Sequence, residues 1–292
     1  MNLNLPQLYY SKLMRAVVEF DMIHDGDHIL LGISGGKDSI FLAYAMAILQ
    51  KRLQKNFQIS ALTINPQFKD KQGRPALFDI ERAQGFMAEL GIPYEIIDVD
   101  IAGTIATTPD KNPCYTCAFF RRGAVNRYAM EHGVNKIAYA HHHDDAVETF
   151  LMSLLYSGQL HTFTPVTYLD RTKLTVIRPL VYFRESELID AIKIHGFDPV
   201  KSPCPHDGHT VRQDVKELIA RLEPEIPDLY DHLGAAMRKA HSGSFGLQPK
   251  PAPKCARPIL PIRINNLMRK SYLICAFIFS SSSFNSLFSV SL

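Results

Sequence analysis

Residues 29–39 form the most informative segment of the chain, and they read Ile29-Leu30-Leu31-Gly32-Ile33-Ser34-Gly35-Gly36-Lys37-Asp38-Ser39. The apolar, β-branched part predicts a buried strand, and the apolar periodicity after Ser39 predicts a helix. Two adjacent glycines between them allow the backbone to approach a phosphate, towards which the first N–H groups of the helix point. Lys37 adds a positive charge, while Asp38 and Ser39 supply oxygen atoms for Mg²⁺ or for helix capping.

This loop differs from the two common glycine-rich nucleotide loops. A Walker loop has four residues between its glycines, and a dinucleotide-binding turn reads G-x-G-x-x-G. Adjacent glycines instead suit a compact nest of amides around a pyrophosphate. The segment 34–39 resembles the SGGxDS PP-loop of ATP pyrophosphatases, which split ATP into AMP and pyrophosphate. That resemblance implies an ATP site formed by Ser34, Gly35, Gly36, Lys37, Asp38 and Ser39; the alternative is a glycine-rich turn that binds nothing.

Composition indicates a globular protein without a membrane segment. The 292 residues are 21% charged, and the net charge of +3 arises entirely at the C-terminal end. The first 240 residues carry 26 Lys and Arg against 29 Asp and Glu, a net charge of −3. A claim of nucleic-acid binding must therefore rest on local basic patches. We expect a cytoplasmic protein, since there is no signal-peptide pattern and no apolar run approaches the ~20 residues that span a bilayer.

Strand and helix patterns alternate along the chain. The strands after the first are predicted at Phe57–Ile64, Tyr94–Val99, Lys136–Ala140 and Leu174–Leu180. The helices are predicted at Leu8–Phe20, Ile40–Leu53, Leu77–Leu90, Cys117–His132, Ala146–Tyr156, Glu185–His195, Val211–Leu222 and Pro227–Ala240. This order predicts an α/β fold with a parallel five-stranded sheet, helices on both faces and additional C-terminal helices. The resemblance to PP-loop enzymes implies the adenine nucleotide alpha hydrolase-like version of that fold.

The same order divides the chain into a domain at 1–240 and an appended tail at 241–292. The tail is rich in proline and serine and does not continue the alternation, so we expect it to be poorly ordered. In parallel sheets, ligands bind beyond the carboxyl ends of the strands. The PP-loop, Asn65, Cys114 and His141 all fall at that edge, which predicts a single site with Asn65 near the nucleotide.

A second nucleotide signal reads His141-His142-His143-Asp144-Asp145-Ala146-Val147-Glu148-Thr149. Two carboxylates at a strand end repel each other unless they share a cation or water. The simpler interpretation is helix capping by Asp144. The stretch is similar to the GHxxDDxxET motif of PP-loop enzymes that modify tRNA, with Ala140 in place of the usual glycine. The resemblance implies that His141 and Asp145 belong to the ATP site, with Mg²⁺ on Asp38 or Asp145.

The cysteines supply a third signal. Cys114-x-x-Cys117 is followed far downstream by Cys204, and the two other cysteines lie in the tail. A Cys-x-x-Cys pair can serve a zinc site, a redox dithiol or an iron–sulfur cluster. Zinc would take a fourth ligand from His206 or from the histidine run, and a dithiol would leave Cys204 unexplained.

Five motifs in order resemble the tRNA 2-thiocytidine synthetase (TtcA) family over residues 8–240: the PP-loop, the Cys-x-x-Cys pair, the His-Asp-Asp stretch, Ile177-Arg178-Pro179-Leu180 and Cys204. The resemblance implies a 4Fe-4S cluster bound by Cys114, Cys117 and Cys204, with ATP and Mg²⁺ as further cofactors. It implies that Lys37, Asp38 and the cysteines adenylate the C2 oxygen of an anticodon-loop cytidine, position 32, and replace it with sulfur. Its implied partners are tRNA, a sulfur donor such as a cysteine desulfurase, and a second copy of the chain.

Arginines beside the Cys-x-x-Cys pair are the best candidates for RNA phosphate contacts, namely Arg121 and Arg122, although ordinary solvated charge is the alternative. Three other functions stay open. A lysidine-type tRNA ligase uses the same adenylation but needs no cysteine triad. A PP-loop thiolase for a uridine or a small molecule fits the same residues. A non-catalytic, metal-stabilised nucleotide-binding module predicts no pyrophosphate release.

Overall fold

A computed structural model describes residues 3–69, 80–108, 112–197, 199–200, 204 and 210–242. The helices within them are α1 Gln7–Glu19, α2 Lys37–Arg52, α3 Ile80–Leu90, α4 Ile101–Ala106, α5 Pro113–Glu131, α6 His143–Ser157, α7 Glu185–His195, α8 Val211–Leu222 and α9 Leu229–Ser242. The strands are β1 His28–Gly32, β2 Gln58–Asn65, β3 Tyr94–Asp98, β4 Lys136–Ala138, β5 Val166–Leu169 and β6 Leu174–Ile177.

The strands form one sheet in the order β3-β2-β1-β4-β6-β5. The first five in that order are parallel, which confirms the predicted α/β class. The sixth strand, β5, pairs antiparallel with β6 at the edge and was not predicted. A single four-residue strand joined to β6 by a tight turn gives a weak periodic signal, because three of its residues are half-buried and one is exposed.

Helices cover both faces of the sheet because its central strands are apolar on both sides. Ile29 and Leu31 of β1 belong to a core shared with α1, α2 and α7, whereas Leu30 points to the other face and packs in a core with α4 and α5. This alternation is what a strand period of two produces. The sheet is therefore a buried middle layer, and its carboxyl-terminal edge is the face from which the β1–α2 loop emerges.

Two features of the α4–α5 region correct the sequence-based boundaries. Residues 101–106 form α4, where only turns were expected, because the Asp100 side chain accepts a hydrogen bond from Gly103 N and caps this short helix. Helix α5 begins at Pro113 and not at Cys117, since Asn112 caps it and proline is well suited to the first turn. Both cysteines of the Cys-x-x-Cys pair thus lie inside the first turns of α5.

The C-terminal helices pack beside α6 and complete the described structure. Val147 and Phe150 of α6 share a core with Val215 and Ile219 of α8 and with side chains of α9. This packing holds the start of α8 near the start of α6. Residues 243–292 lie outside the described residues, so the predicted tail stays a prediction. Among the described helices, none combines the length and apolar character needed to cross a bilayer.

Candidate active site

The loop between β1 and α2 is held in shape by its own serines. Ser39 is buried, and its Oγ donates to Gly36 O at 2.9 Å and accepts from Ser34 N at 3.3 Å. Gly35 has φ of +81°, a conformation that strongly favours glycine. Gly36 has an ordinary φ of −68°, and a Cβ there would meet only Ser34 Oγ, at 3.5 Å. Its missing side chain therefore leaves open space before the first N–H groups of α2, which have no intrahelical acceptors.

A polar cavity of about 200 Å³ opens beside this loop. Helices α2, α6, α7 and α8 line it with side chains of both signs, including Lys37, Asp38, Asp145, Glu185, Arg212 and Lys216. A larger cavity of about 280 Å³ lies between α2, α3 and the end of α7, but no predicted site residue lines it. The chemistry of the charged cavity, and not its size, makes it the candidate site.

One carboxylate joins two lysines in the cavity. Glu185 accepts from Lys37 Nζ at 2.9 Å through one oxygen and from Lys216 Nζ at 2.6 Å through the other. Burial alone would lower the pKa of Lys37, but Asp38 and Glu185 outweigh it and raise that pKa, so the lysine stays charged. Burial would likewise raise the pKa of Glu185, and the two lysines lower it. A polyphosphate entering the cavity would meet two cations already held in place.

Asp38 presents a carboxylate oxygen suited to a cation. Its Oδ2 lies 3.2 Å from Lys37 Nζ, whereas Oδ1 is buried without a hydrogen-bond partner among the described residues. Burial raises the pKa of Asp38, and Lys37 only partly opposes this effect. Magnesium takes carboxylate and phosphate oxygens as ligands, so Asp38 Oδ1 fits the predicted Mg²⁺ role.

Asp145 is the second predicted carboxylate in the cavity. Its Oδ2 accepts from His142 N at 2.9 Å, and its Oδ1 lies 3.3 Å from Arg212 Nη1. The same Arg212 nitrogen lies 3.0 Å from Glu148 Oε2. Burial would raise the pKa of Asp145, but the charges of His142, His141 and Arg212 lower it overall. Asp145 therefore caps α6 and stays ionised.

Asp144 makes different contacts from those of the neighbouring Asp145. Its Oδ1 accepts from Arg184 Nε at 2.6 Å, and its Oδ2 accepts from Glu185 N at 2.8 Å. The expectation that Asp144 caps its own helix, α6, is wrong, because Asp145 has that role and Asp144 instead accepts from the first N–H group of α7. This contact ties the start of α7 to α6 and so positions Glu185 in the cavity.

Two other predicted ATP-site residues do not line this cavity. His141 is buried and its Nδ1 accepts from Arg178 Nε at 3.3 Å, while burial lowers the pKa of Arg178 to about 10. Asn65 Nδ2 donates to Asp98 Oδ1 at 2.7 Å. Both residues lie at carboxyl ends of strands, as expected, and their contact with the nucleotide stays a prediction.

The three predicted cluster cysteines are half-buried, and none of them forms a disulfide. Burial raises the pKa of Cys114, and the charges of Cys204 and Cys117 raise it further. Burial also raises the pKa of Cys117, against the opposing effect of Arg121. An electrostatic effect of one thiol on the pKa of another acts over a short distance, so the Cys114 thiol lies near the other two. Across the described ranges, however, no group of three or more His, Cys, Asp or Glu side chains is already placed to hold a metal ion. The donors have the chemistry that an iron–sulfur cluster needs without forming a closed ligand set.

The segment that carries Cys204 is anchored at the PP-loop. Val200 N donates to Gly35 O at 2.8 Å, and Cys204 follows four residues later. Four extended residues span at most about 14 Å, so Cys204 cannot lie far from the loop. Thr210, shortly after it, lines the charged cavity. Val200 and Thr210, which precede and follow Cys204 in the sequence, therefore both lie at the PP-loop or at its cavity.

The candidate RNA residues also lie at the cysteines. The positive charge of Arg121 acts to lower the pKa of the Cys117 thiol, and Arg122 Nε donates to Ala118 O at 3.2 Å. Both arginines are half-buried. Their contact with phosphates stays a prediction, and Arg121 has an additional partner that the sequence did not indicate.

Sequence reasoning missed three charged cavity residues, namely Glu185, Arg212 and Lys216. The four-residue spacing of Arg212 and Lys216 places them on one face of α8, a signal that was available. Nothing local shows that this face meets the PP-loop, because the packing of α8 on α6 decides it.

Comparisons with known proteins agree with this geometry. Residues 9–222 match the PP-loop domain family ATP_bind_3. A tRNA-cytidine(32) 2-sulfurtransferase from Pelobacter propionicus is 37% identical over 78% of this chain and 82% of its own length. One from Dichelobacter nodosus is 33% identical over 77% of this chain and 83% of its own length.

A solved structure shares the fold. The U34-tRNA thiolase NcsA from Methanococcus maripaludis, with its 4Fe-4S cluster, superposes with a TM-score of 0.64 at 24% identity, covering 82% of this chain and 79% of that one. The family match and the two sulfurtransferases lead to one assignment: the chain belongs to the PP-loop ATP pyrophosphatases and, within them, to the tRNA-cytidine(32) 2-sulfurtransferase family.

Proposed function

We propose that this chain is an ATP-dependent tRNA sulfurtransferase that converts the cytidine at position 32 of the anticodon loop to 2-thiocytidine. The observation that carries the proposal is the hydrogen bond from Val200 N to Gly35 O, 2.8 Å long. It joins Val200, four residues before Cys204, to the PP-loop, and so supports a site in which nucleotide activation and thiol chemistry share one edge of the sheet. Family membership supports the same reaction.

The first step requires a better leaving group. The C2 carbonyl of cytosine is amide-like, and oxide does not leave from it. Attack of the C2 oxygen on the α-phosphorus of ATP forms a C–O–P bond and releases pyrophosphate. The first N–H groups of α2, together with Lys37 and Lys216, lie where they can stabilise the charge that develops on the departing pyrophosphate. Asp38 would hold Mg²⁺, which would offset the negative charge of the phosphates.

The second step brings sulfur to the activated carbon. Cys114, Cys117 and Cys204 would hold a 4Fe-4S cluster, which would supply sulfide as the nucleophile for C2. AMP then leaves with the original oxygen. The cytidine has to leave its loop stack to reach the thiols, which unpaired loop bases do at small cost. Arg121, beside the Cys117 thiol, would contribute positive charge at this point.

The test is an anaerobic reaction of the purified protein with ATP, sulfide and a tRNA transcript. We expect one AMP and one pyrophosphate for each 2-thiocytidine, detected by nucleoside mass spectrometry. A thiolated uridine would assign the chain to the uridine thiolases. Pyrophosphate without any thionucleoside would favour ligase chemistry, and no pyrophosphate at all would leave a nucleotide-binding module.

Metal analysis tests the cysteine assignment separately. Bound iron and acid-labile sulfide should be present in the protein and should fall in Cys114→Ala, Cys117→Ala and Cys204→Ala. Cys255→Ala, in the tail, is the matched control and should retain both. Zinc without iron, or full iron retention in all three variants, would contradict the cluster.

The remaining partners belong to the same proposal. They are a cysteine desulfurase as sulfur donor and a homodimeric assembly. A cytoplasmic location belongs to the proposal as well, because the reaction needs reduced thiols. Size-exclusion chromatography with light scattering tests the dimer.

A further inference from the structure

An exposed aromatic cluster lies on the helix that carries two of the cysteines. Tyr115, Phe119 and Phe120 of α5 are 36%, 55% and 39% exposed. The Tyr115 and Phe119 rings are nearly parallel, with an interplanar angle of 24° and centroids 6.4 Å apart, and Phe120 packs edge-on against Phe119. Large apolar rings are usually buried, so three neighbouring exposed rings indicate a binding surface.

The position of these rings follows from helical spacing. Cys114, Cys117 and Arg121 are three and then four residues apart, so they form one stripe along α5. Tyr115 and Phe119 are four apart and form the adjacent stripe, which Arg122 continues three residues later. The rings therefore begin within one turn of the thiols.

We propose that the aromatic cluster of Tyr115, Phe119 and Phe120 is a stacking platform for unpaired bases of the RNA loop that delivers its cytidine to the thiols. The inference rests on the proposed function. Any RNA base that reaches Cys114 and Cys117 brings its neighbouring loop bases to the surface of α5, and near-parallel rings match the near-parallel planes of successive bases.

Charge favours RNA over a second protein chain as the occupant. Helix α5 carries three arginines and no acidic residue before Glu131. Two of them, Arg121 and Arg122, directly follow the rings, and the positive end of the helix dipole lies at the same end. Aromatic rings interleaved with arginines are the usual surface for single-stranded nucleic acid, in which rings stack on bases and cations neutralise phosphates.

The experiment uses the anaerobically purified, full-length protein and a hairpin RNA that has the target cytidine in its loop and 2-aminopurine at the adjacent loop position. The chain has no tryptophan, so 2-aminopurine fluorescence is observed with little protein background. Stacking should quench the fluorescence of the bound hairpin. Phe119→Ala should weaken binding about 5- to 150-fold, the usual range for loss of one base–aromatic stack, and should remove most of the quenching.

Three comparisons separate stacking from other causes. Phe119→Tyr keeps the ring and should bind as the wild type does. Met130→Ala removes an equally exposed apolar side chain, 51% exposed, from the same helix about 16 Å away and should have no effect. The salt dependence of binding should be the same for Phe119→Ala and the wild type, because no phosphate contact is lost.

The results that would overturn the inference are specific. Unchanged affinity and quenching in Phe119→Ala would show that no base stacks there. Loss of dimer formation in Phe119→Ala with unchanged RNA affinity would show that the cluster is a self-interface. If the wild type itself neither binds nor thiolates the hairpin, the proposed function fails; if the wild type does both and Phe119→Ala matches it, the platform alone fails.

Discussion

Replacing Arg212 with methionine should destabilise the protein strongly, because one guanidinium joins α8 to three side chains of α6. Its Nη1 lies 3.3 Å from Asp145 Oδ1 and 3.0 Å from Glu148 Oε2, and its Nη2 donates to Thr149 Oγ1 at 3.0 Å. The arginine side chain is 18% exposed, and the two carboxylates are 17% and 5% exposed. Methionine preserves most of the aliphatic packing and removes the charge.

The expected loss in the free energy of unfolding follows from the buried carboxylates that Arg212→Met leaves without a partner. Removal of one partner of a buried ion pair typically costs about 3–5 kcal/mol, since the other partner stays buried without compensation. The partial exposure of Asp145 and Arg212 places this case at the lower end, about 3 kcal/mol. For a domain of this size, that corresponds to a decrease in Tm of about 6–12 °C.

The assay is thermal unfolding followed by far-UV circular dichroism, with Arg221→Met as the matched control. Arg221 lies on the same helix but is exposed, so its replacement should change Tm by no more than about 2 °C. A double variant, Arg212→Met with Glu148→Gln, should recover part of the loss because one of the two unpaired carboxylates is then neutral. A Tm for Arg212→Met that matches the Arg221→Met control would refute this account of the α6–α8 contact.

The pH dependence gives an independent check. Burial raises the pKa of Glu148, with Arg212 opposing that effect. Loss of Arg212 therefore lowers the stability of the protein most at neutral pH, where Glu148 is ionised in the folded state. As the pH falls through the carboxylate range, Glu148 takes up a proton and the Tm difference from the wild type should shrink. A difference that widens on acidification would contradict the charge argument.

Three further outcomes follow from the same structure. Lys216→Ala should weaken ATP binding about 10-fold or more by calorimetry, because a charge-assisted contact to phosphate is lost, whereas the exposed Lys193→Ala should not. Asp38→Asn should abolish AMP formation while leaving the iron content unchanged; continued AMP formation would remove Asp38 from the site. Asp27 lies 2.7 Å from the buried Lys136, and burial, which would raise its pKa, is outweighed by Lys136 and hydrogen bonds that lower it. The Asp27 carboxylate therefore stabilises the fold at pH values above its unfolded-state pKa, and this stabilisation is lost as the pH falls through the lower folded-state pKa. Asp27→Asn should thus have a lower Tm at neutral pH, and its Tm should fall less steeply on acidification.

Local patterns were sufficient for the sheet and the PP-loop. Residues 29–39 contain a buried strand, a turn that strongly favours glycine at Gly35 and a helix start, and all three depend on near neighbours. The alternation of strands and helices led to the five parallel strands for the same reason. The edge strand β5 escaped detection because four residues on a half-exposed edge carry little periodicity.

Side-chain partnerships across elements were beyond local patterns. The sequence indicated His141 and Asp145 together, yet the structure places Asp145 at the cavity and His141 against Arg178. His141 precedes α6 and Asp145 lies in its first turn, and only the surrounding packing selects which of the two side chains enters the cavity.

The amino-acid sequence alone therefore determined the α/β architecture and the PP-loop, and it predicted the cluster thiols, because each rests on residue chemistry and short-range periodicity. The tertiary structure alone decided that Glu185 of α7 lies 2.9 Å from Lys37 at that loop and 2.6 Å from Lys216 of α8. The physical reason is that burial of the shared core of α6, α8 and α9 sets the rotation of α8. That burial sums many long-range apolar contacts, and no single stretch of the chain encodes it.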